Sequence, residues 1–180
     1  MSRKSIFIRL FGIMVFFILF ITAVSYSEQY YDQYPGIGFV PWVYDIEHNM
    51  NWAEGSLYHE DTSDDYYLCP VNFNVPDGST YFIKSIGIRY LDNLADAYLE
   101  VKLMRENLFT GASHIVASWQ TTLEGANLSV QTASQGTISG RKLVDSKKFA
   151  YWLSVYFYRN GDVDPFHSMA LWQVRIHYGT

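Results

Sequence analysis

The 180-residue chain contains a single cysteine, Cys69. An intramolecular disulfide is therefore excluded, and Cys69 stands too far along the chain to be the lipid-bearing cysteine that follows a lipoprotein signal. In an exported protein an odd cysteine is either a buried thiol or an intermolecular link. The apolar setting Tyr66-Tyr67-Leu68-Cys69-Pro70-Val71 favours a buried, inert thiol. Lysine and arginine are missing altogether between Glu28 and Ile83, a stretch with ten acidic residues. Nucleic-acid binding normally requires a basic footprint, and the chain has none. Catalytic signatures are missing too: there is no Gly-x-Ser-x-Gly elbow, phosphate loop, dinucleotide fingerprint or His-Glu-x-x-His. Beyond residue 27 no segment keeps helical periodicity for ten residues, which sets aside helical bundles and alternating α/β folds.

What the chain does have begins with an export signal. Arg3, Lys4 and Arg9 precede the uncharged apolar run Leu10–Val24, and small residues follow at Ala23, Ser25 and Ser27. That pattern describes a secretory signal helix over 1–27, cleaved after Ser25 or Ser27. The alternative is an uncleaved anchor; the uncharged run Leu10–Ser27 stands at the lower edge of a membrane span. Without its three amino-terminal cations the chain keeps 10 basic and 18 acidic residues, a charge of −8. The expected destination is the periplasm, the cell envelope or the exterior.

The remainder is rich in aromatics (18%) and suits a strand-built protein. Aromatic or β-branched runs alternate with Gly, Asp, Asn and Pro punctuation from Phe39 onward. Ile86, Ile88 and Tyr90 alternate with Ser85, Gly87 and Arg89; after Asp92-Asn93, Leu99, Val101 and Leu103 alternate with Glu100 and Lys102. Period two on both sides of a break predicts an antiparallel pair with one buried face. Asn107–Gly111 predicts a turn into a strand on which Ile115, Ala117 and Trp119 share a face. Residues 123–140 predict a long loop with one or two weak strands. In Phe149–Tyr158 the inward set is Tyr151, Leu153, Val155 and Phe157. In Met169–Tyr178 it is Trp172, Val174, Ile176 and Tyr178, with Arg159-Asn160-Gly161-Asp162 as a hairpin turn between the two runs. The expected fold is an all-β antiparallel sandwich of jelly-roll type. It divides into a signal peptide (1–27), an acidic arm with edge strands (28–65) and the sandwich proper (66–180), with 28–180 as one folding unit.

Several segments carry a resemblance: Pro70-Val71; Val75-Pro76-Asp77-Gly78-Ser79; Tyr90-Leu91-Asp92-Asn93; Leu99–Leu108 with Thr110-Gly111; Ala150–Val155; and Trp172–Tyr178. Together, over about residues 66–178, they resemble exported bacterial single-domain β-sandwich proteins of no assigned activity. The resemblance implies fold and export and supplies no catalytic residues.

Three kinds of candidate site remain. If the inward set of 149–158 is right, Trp152, Tyr156 and Tyr158 face outward as an aromatic platform for a polysaccharide or a protein partner, unless the 123–140 loop or the amino-terminal arm covers them. Glu60, Asp61, Asp64 and Asp65 concentrate carboxylates that suit calcium, with Asn160, Asp162 and Asp164 as a second oxygen-rich turn; the alternative is a pair of solvated turns. Gln173, Arg175 and His177 share the outward side of the last run, suited to an anionic ligand or to a plain wet face. Carboxylate pairs such as Asp45 with Glu47, and a Cys69–histidine pair, are the enzyme-like combinations; nothing near Asp45 and Glu47 predicts a cleft, and Pro70 with the surrounding tyrosines suggests that Cys69 is buried. The functional expectation is a non-catalytic envelope or extracellular structural or interaction protein, with a carbohydrate-binding module, stabilised by calcium, as the alternative. A membrane enters only through an uncleaved signal.

Overall fold

The computed structural model of the chain describes residues 29–41, 50–51, 56–59, 65–76, 79–93, 97–121, 127–135, 138, 143–159 and 169–180. The signal segment 1–27 lies outside them. In chain order the elements are β1 (Gln29–Pro35), a 3-10 turn (Gly36–Gly38), β2 (Val40–Pro41), β3 (Met50–Asn51), β4 (Ser56–His59) and β5 (Asp65–Val71). Then follow β6 (Tyr81–Asp92), β7 (Ala97–Asn107), β8 (Ser113–Gln120), β9 (Asn127–Gln135), β10 (Leu143–Val144), β11 (Phe149–Arg159) and β12 (Met169–Gly179). All strand pairs are antiparallel.

The strands form two sheets. One has five strands in the order β2-β5-β11-β7-β8. The other has seven, centred on β6 beside β12. The far edge of β6 is shared by β10 and β9, and the far edge of β12 by β4 and β1, with β3 beyond β4. Period-two alternation turns one side of each sheet inward. Ile86 and Ile88 of β6 and Val174 and Ile176 of β12 meet Leu99, Val101 and Leu103 of β7 and Leu153, Val155 and Phe157 of β11 in a single core. Aromatic rings tie the two sheets together. Phe73 packs edge-on against Tyr151 of β11 at 5.0 Å and against Tyr178 of β12 at 4.9 Å. Tyr90 of β6 meets Trp119 of β8 at 4.7 Å, and its hydroxyl donates to Gln131 Oε1 at 2.7 Å.

Partnership differs from the sequence expectation in two places. The runs around Asp92-Asn93 do not pair with each other: β6 belongs to the seven-stranded sheet and β7 to the five-stranded one. The chain crosses between layers there, and Asp92 and Asn93 are buried rather than forming a wet turn. Likewise β11 and β12 lie in opposite sheets, so no hairpin joins them. Alternation fixes which face a strand buries but does not name its partner. The turn into β8 does close a hairpin, because β7 and β8 pair. Asn107 Oδ1 accepts the Phe109 and Thr110 amides at 2.9 and 3.2 Å, and Gly111 supplies the positive φ of 68°.

One shared-face assignment and one inward assignment are overturned by bulges. Between Leu103 and Met104 the β7–β8 register slips, so Val116 turns into the core and Ile115 becomes 47% exposed. Between Leu171 and Gln173 the β12–β6 register slips as well; Trp172 is left half-buried while Met169, Ala170 and Leu171 are fully buried. One extra residue inverts the facing of everything on one side of it. The second bulge coincides with the point where β12 changes neighbour, from Leu57 of β4 opposite Leu171 to Pro35 of β1 opposite Gln173. Gly36 is wedged into that junction. Residues 127–135, within the expected loop, form the nine-residue strand β9.

Candidate functional site

The outer face of the five-stranded sheet carries the aromatic residues singled out in the sequence. Trp152, Tyr156 and Tyr158 are half-buried and lie on the outward side of β11, with Tyr151, Leu153, Val155 and Phe157 opposite them in the core. Among the described residues neither suggested cover reaches them, since β9 and β1 both pair into the other sheet. Register places further residues beside them. Tyr156 has Tyr66 of β5 on one side and Glu100 of β7 on the other, while Tyr158 lies opposite Tyr98. Tyr66 stacks on Tyr156 with centroids 4.3 Å apart and planes at 17°. Tyr98 stacks on Tyr158 at 4.8 Å and 20°, and meets Tyr156 edge-to-face at 5.8 Å. These four tyrosines form one cross-strand ladder.

A second row runs Pro70–Trp152–Met104–Ile115 across β5, β11, β7 and β8. Among the described residues no ring stacks on Trp152. Between the rows, Lys102 Nζ donates to Glu100 Oε2 at 2.6 Å, so the carboxylate in the centre of the face is already paired. The sequence reading missed Tyr66 and Tyr98 as members. The signal for both was period two on strands flanking β11, but their placement depends on which strands become its neighbours.

The other candidates fall elsewhere. Glu60, Asp61 and Asp64 lie outside the described residues, as does the side chain of Asp65 and as do Asn160, Asp162 and Asp164. Asp45 and Glu47 are outside as well. Among the described residues no group of three His, Cys, Asp or Glu side chains is placed to hold a metal ion. Cys69 is buried, and desolvation pushes its thiol pKa up, away from the thiolate that nucleophilic catalysis needs. Beside it, Asp32, Tyr34 and Tyr178 form a polar end to the core. The Tyr178 hydroxyl donates to the Asp32 carboxylate; burial first, then the neighbouring Asp32 charge, raises the Tyr178 pKa to about 12. Desolvation also raises Asp32.

On the opposite side of the molecule, β6, β9 and β12 floor a groove of about 350 Å³ lined by Gly87, Arg89, Thr132, Ser134, Gln173 and Arg175. His177 lies along the same outward row as Arg175 and stacks on Tyr31 of β1 at 4.5 Å. Desolvation, then Lys84, then Arg175 lowers the His177 pKa below its ordinary value.

No family model matches the sequence, and no curated protein matches it. Among solved structures, a family two carbohydrate esterase from Cellvibrio japonicus superposes with a TM-score of 0.42 and 10% identity. That alignment covers 86% of this chain and 34% of the esterase. The isomalto-dextranase of Arthrobacter globiformis T6, complexed with panose, gives a TM-score of 0.39 and 14% identity, over 81% of this chain and 23% of the enzyme. The chain thus spans about a third or less of the length of these neighbours.

Proposed function

We propose that the chain is an exported, non-catalytic interaction protein of jelly-roll type that uses the outer face of the five-stranded sheet to hold another protein at the cell envelope or outside the cell. Export rests on the basic, apolar and small-residue succession of residues 1–27. Among the described residues no helix is long and apolar enough to cross a membrane. The jelly-roll reading rests on the chain's repeated crossing between sheets, at β5 to β6, β6 to β7, β8 to β9 and β11 to β12.

One observation carries the contact surface: a tyrosine ladder over three strands, continuous with an apolar row that ends in exposed Ile115. Aromatic patches of this kind are typical of protein contact surfaces. The ring geometry favours a protein over a sugar. Sugars pack on open ring faces, whereas Tyr66 with Tyr156 and Tyr98 with Tyr158 spend theirs on each other. A photo-crosslinking residue at Ile115 or Tyr66 is expected to give one discrete protein adduct in the producing cell, and one at the loop residue Ser146 none. Equal or absent adducts at both positions would remove the proposal.

The second reading, a carbohydrate-binding module, is favoured by Trp152, whose ring has no stacked partner among the described residues. It predicts retardation of the protein in a polysaccharide-containing gel. Trp152→Ala would abolish that retardation while leaving the melting temperature nearly unchanged. An unmutated protein that runs freely through such gels removes it. Calcium at Glu60, Asp61, Asp64 and Asp65 is part of this second reading; a melting temperature insensitive to millimolar calcium and to chelator discards it.

A further inference from the structure

We infer that the groove on the outer face of the seven-stranded sheet is a separate binding site for a carboxylated sugar, a uronate residue of an acidic oligosaccharide. The groove exists because Gly87 stands in mid-strand. Its neighbours across the sheet are Arg175 of β12 and Ser134 of β9, and one row along Arg89 lies between Gln173 and Thr132. A glycine inside a strand otherwise weakens it, and it commonly marks a place where another group approaches the backbone. The missing side chain opens a floor between two guanidinium groups.

The charge of this face runs against that of the whole chain. Its described ionic groups are Lys84, Arg89 and Arg175. The described acids are elsewhere: Asp32 is bonded to Tyr178, Asp92 is buried, Glu100 and Glu106 are on β7, Asp145 is in the turn before β11, and Asp65 is on β5. Neither Arg89 nor Arg175 is joined to a carboxylate among the described residues. No described carboxylate therefore occupies either planar fork, and guanidinium pairs bidentately with a carboxylate.

The other groups suit a sugar rather than a bare anion. Gln173 Nε2 donates to Gln33 Oε1 at 2.9 Å, which holds both amides in place and leaves Gln173 Oε1 and Gln33 Nε2 as an acceptor and a donor. Ser134 and Thr132 add hydroxyls from β9. Tyr31 remains 52% exposed beside the groove, with the Arg175 guanidinium 5.4 Å from its ring centre and His177 stacked on it. One carboxylate and several hydroxyls would each find a counterpart in this arrangement.

The test is isothermal titration of the purified protein with trigalacturonate, with maltotriose as the neutral counterpart and sulfated dextran as a non-sugar-acid polyanion. Trigalacturonate is expected to bind, maltotriose not to bind, and sulfated dextran to bind no more tightly than trigalacturonate. Arg175→Gln and Gly87→Leu should each weaken trigalacturonate binding at least tenfold. Gly87→Leu tests the space rather than the charge, and a Cβ at that position meets nothing closer than 3.9 Å, so the variant is expected to fold. Phe109→Ala, at the 80% exposed tip of the β7–β8 turn in the other sheet, should leave this binding unchanged. Absent trigalacturonate binding, tighter binding of sulfated dextran, or undiminished binding in Gly87→Leu would overturn the assignment.

Discussion

Gly36 offers the sharpest test of the fold, because its role depends on space and not on a special backbone conformation. A Cβ built there would lie far inside contact distance of the Leu171 carbonyl oxygen and the Leu57 amide nitrogen, and 3.0 Å from the Ser56 carbonyl carbon. All three obstacles are backbone, so no rotamer change relieves the clash. Either β1 lifts from β12 or β4 does, and each is held by a short ladder that meets the other at the Trp172 bulge. Losing two ladder bonds at about 0.5–1.5 kcal/mol each, with residual overpacking strain of about 1–3 kcal/mol, puts Gly36→Ala about 2–6 kcal/mol below the unmutated protein, with about 3 kcal/mol as the working value. For a folded unit of this size that is a fall of about 6–12 °C in melting temperature. Gly87→Ala is the matched control: the nearest atoms to its new Cβ are 3.9 Å away, an ordinary contact. It should be neutral, or slightly stabilising through the unfolded chain, by about 0.4–1 kcal/mol. Thermal unfolding followed by circular dichroism reads both. If Gly36→Ala melts within 2 °C of the parent (a bound set by the smallest shift of about 2–4 °C per kcal/mol), the wedge at the β1–β4 junction is wrong.

Three further outcomes are expected. Asn107→Ala removes an acceptor of two amides in the β7–β8 turn and should cost about 1 kcal/mol, read as a melting temperature lower by about 2–4 °C; an unchanged value would mean that Gly111 alone closes the turn. Cys69 should react with a thiol reagent far more slowly in the native protein than in denaturant, since burial both hides the thiol and raises its pKa. Equal rates would place it on the surface. His177 has its folded pKa depressed, so its neutral form is the one the fold accommodates, and its contribution to stability is complete above the unfolded value of about 6.5. It is lost as pH falls from there through the depressed folded pKa. The melting temperature of His177→Gln should therefore decline less steeply than that of the parent below pH 6.5, and parallel curves would refute the assignment.

The inward faces of β6, β7, β11 and most of β12 were legible in the sequence because burial writes itself into alternate positions. Ile86, Ile88, Leu99, Val101, Leu103, Leu153, Val155 and Val174 all occupy the core as alternation demands. Partnership was not legible. The break at Asp92-Asn93 carries residues that would serve a hairpin equally well, and only tertiary packing sends β7 to the other sheet. Ile115 and Trp172 were misplaced for a related reason. A bulge depends on the strand opposite, and neither Val116 nor Trp172 carries a local mark of it. The platform was readable as far as one strand, β11. Tyr66 and Tyr98 joined it only once β5 and β7 became its neighbours. For the groove a local mark did exist, in the lone glycine within the Ile86–Tyr90 alternation.

The groove also refines what the overall charge means. From 18 acidic and 13 basic residues, with none of the basic ones between Glu28 and Ile83, the sequence is expected to lack a path for a nucleic-acid backbone. Such a path takes roughly 6–10 phosphate contacts. Recognition of one carboxylate needs only one or two guanidinium groups, provided no acid competes for them. Among the described residues strand alternation supplies that condition, by sending Arg89 and Arg175 to one face while Asp92 on β6 turns inward and Glu100 and Glu106 belong to the other sheet. Net charge averages over faces that never meet. The expectation of no nucleic-acid partner and the proposed uronate site therefore rest on the same charges counted at two different scales, and they do not conflict.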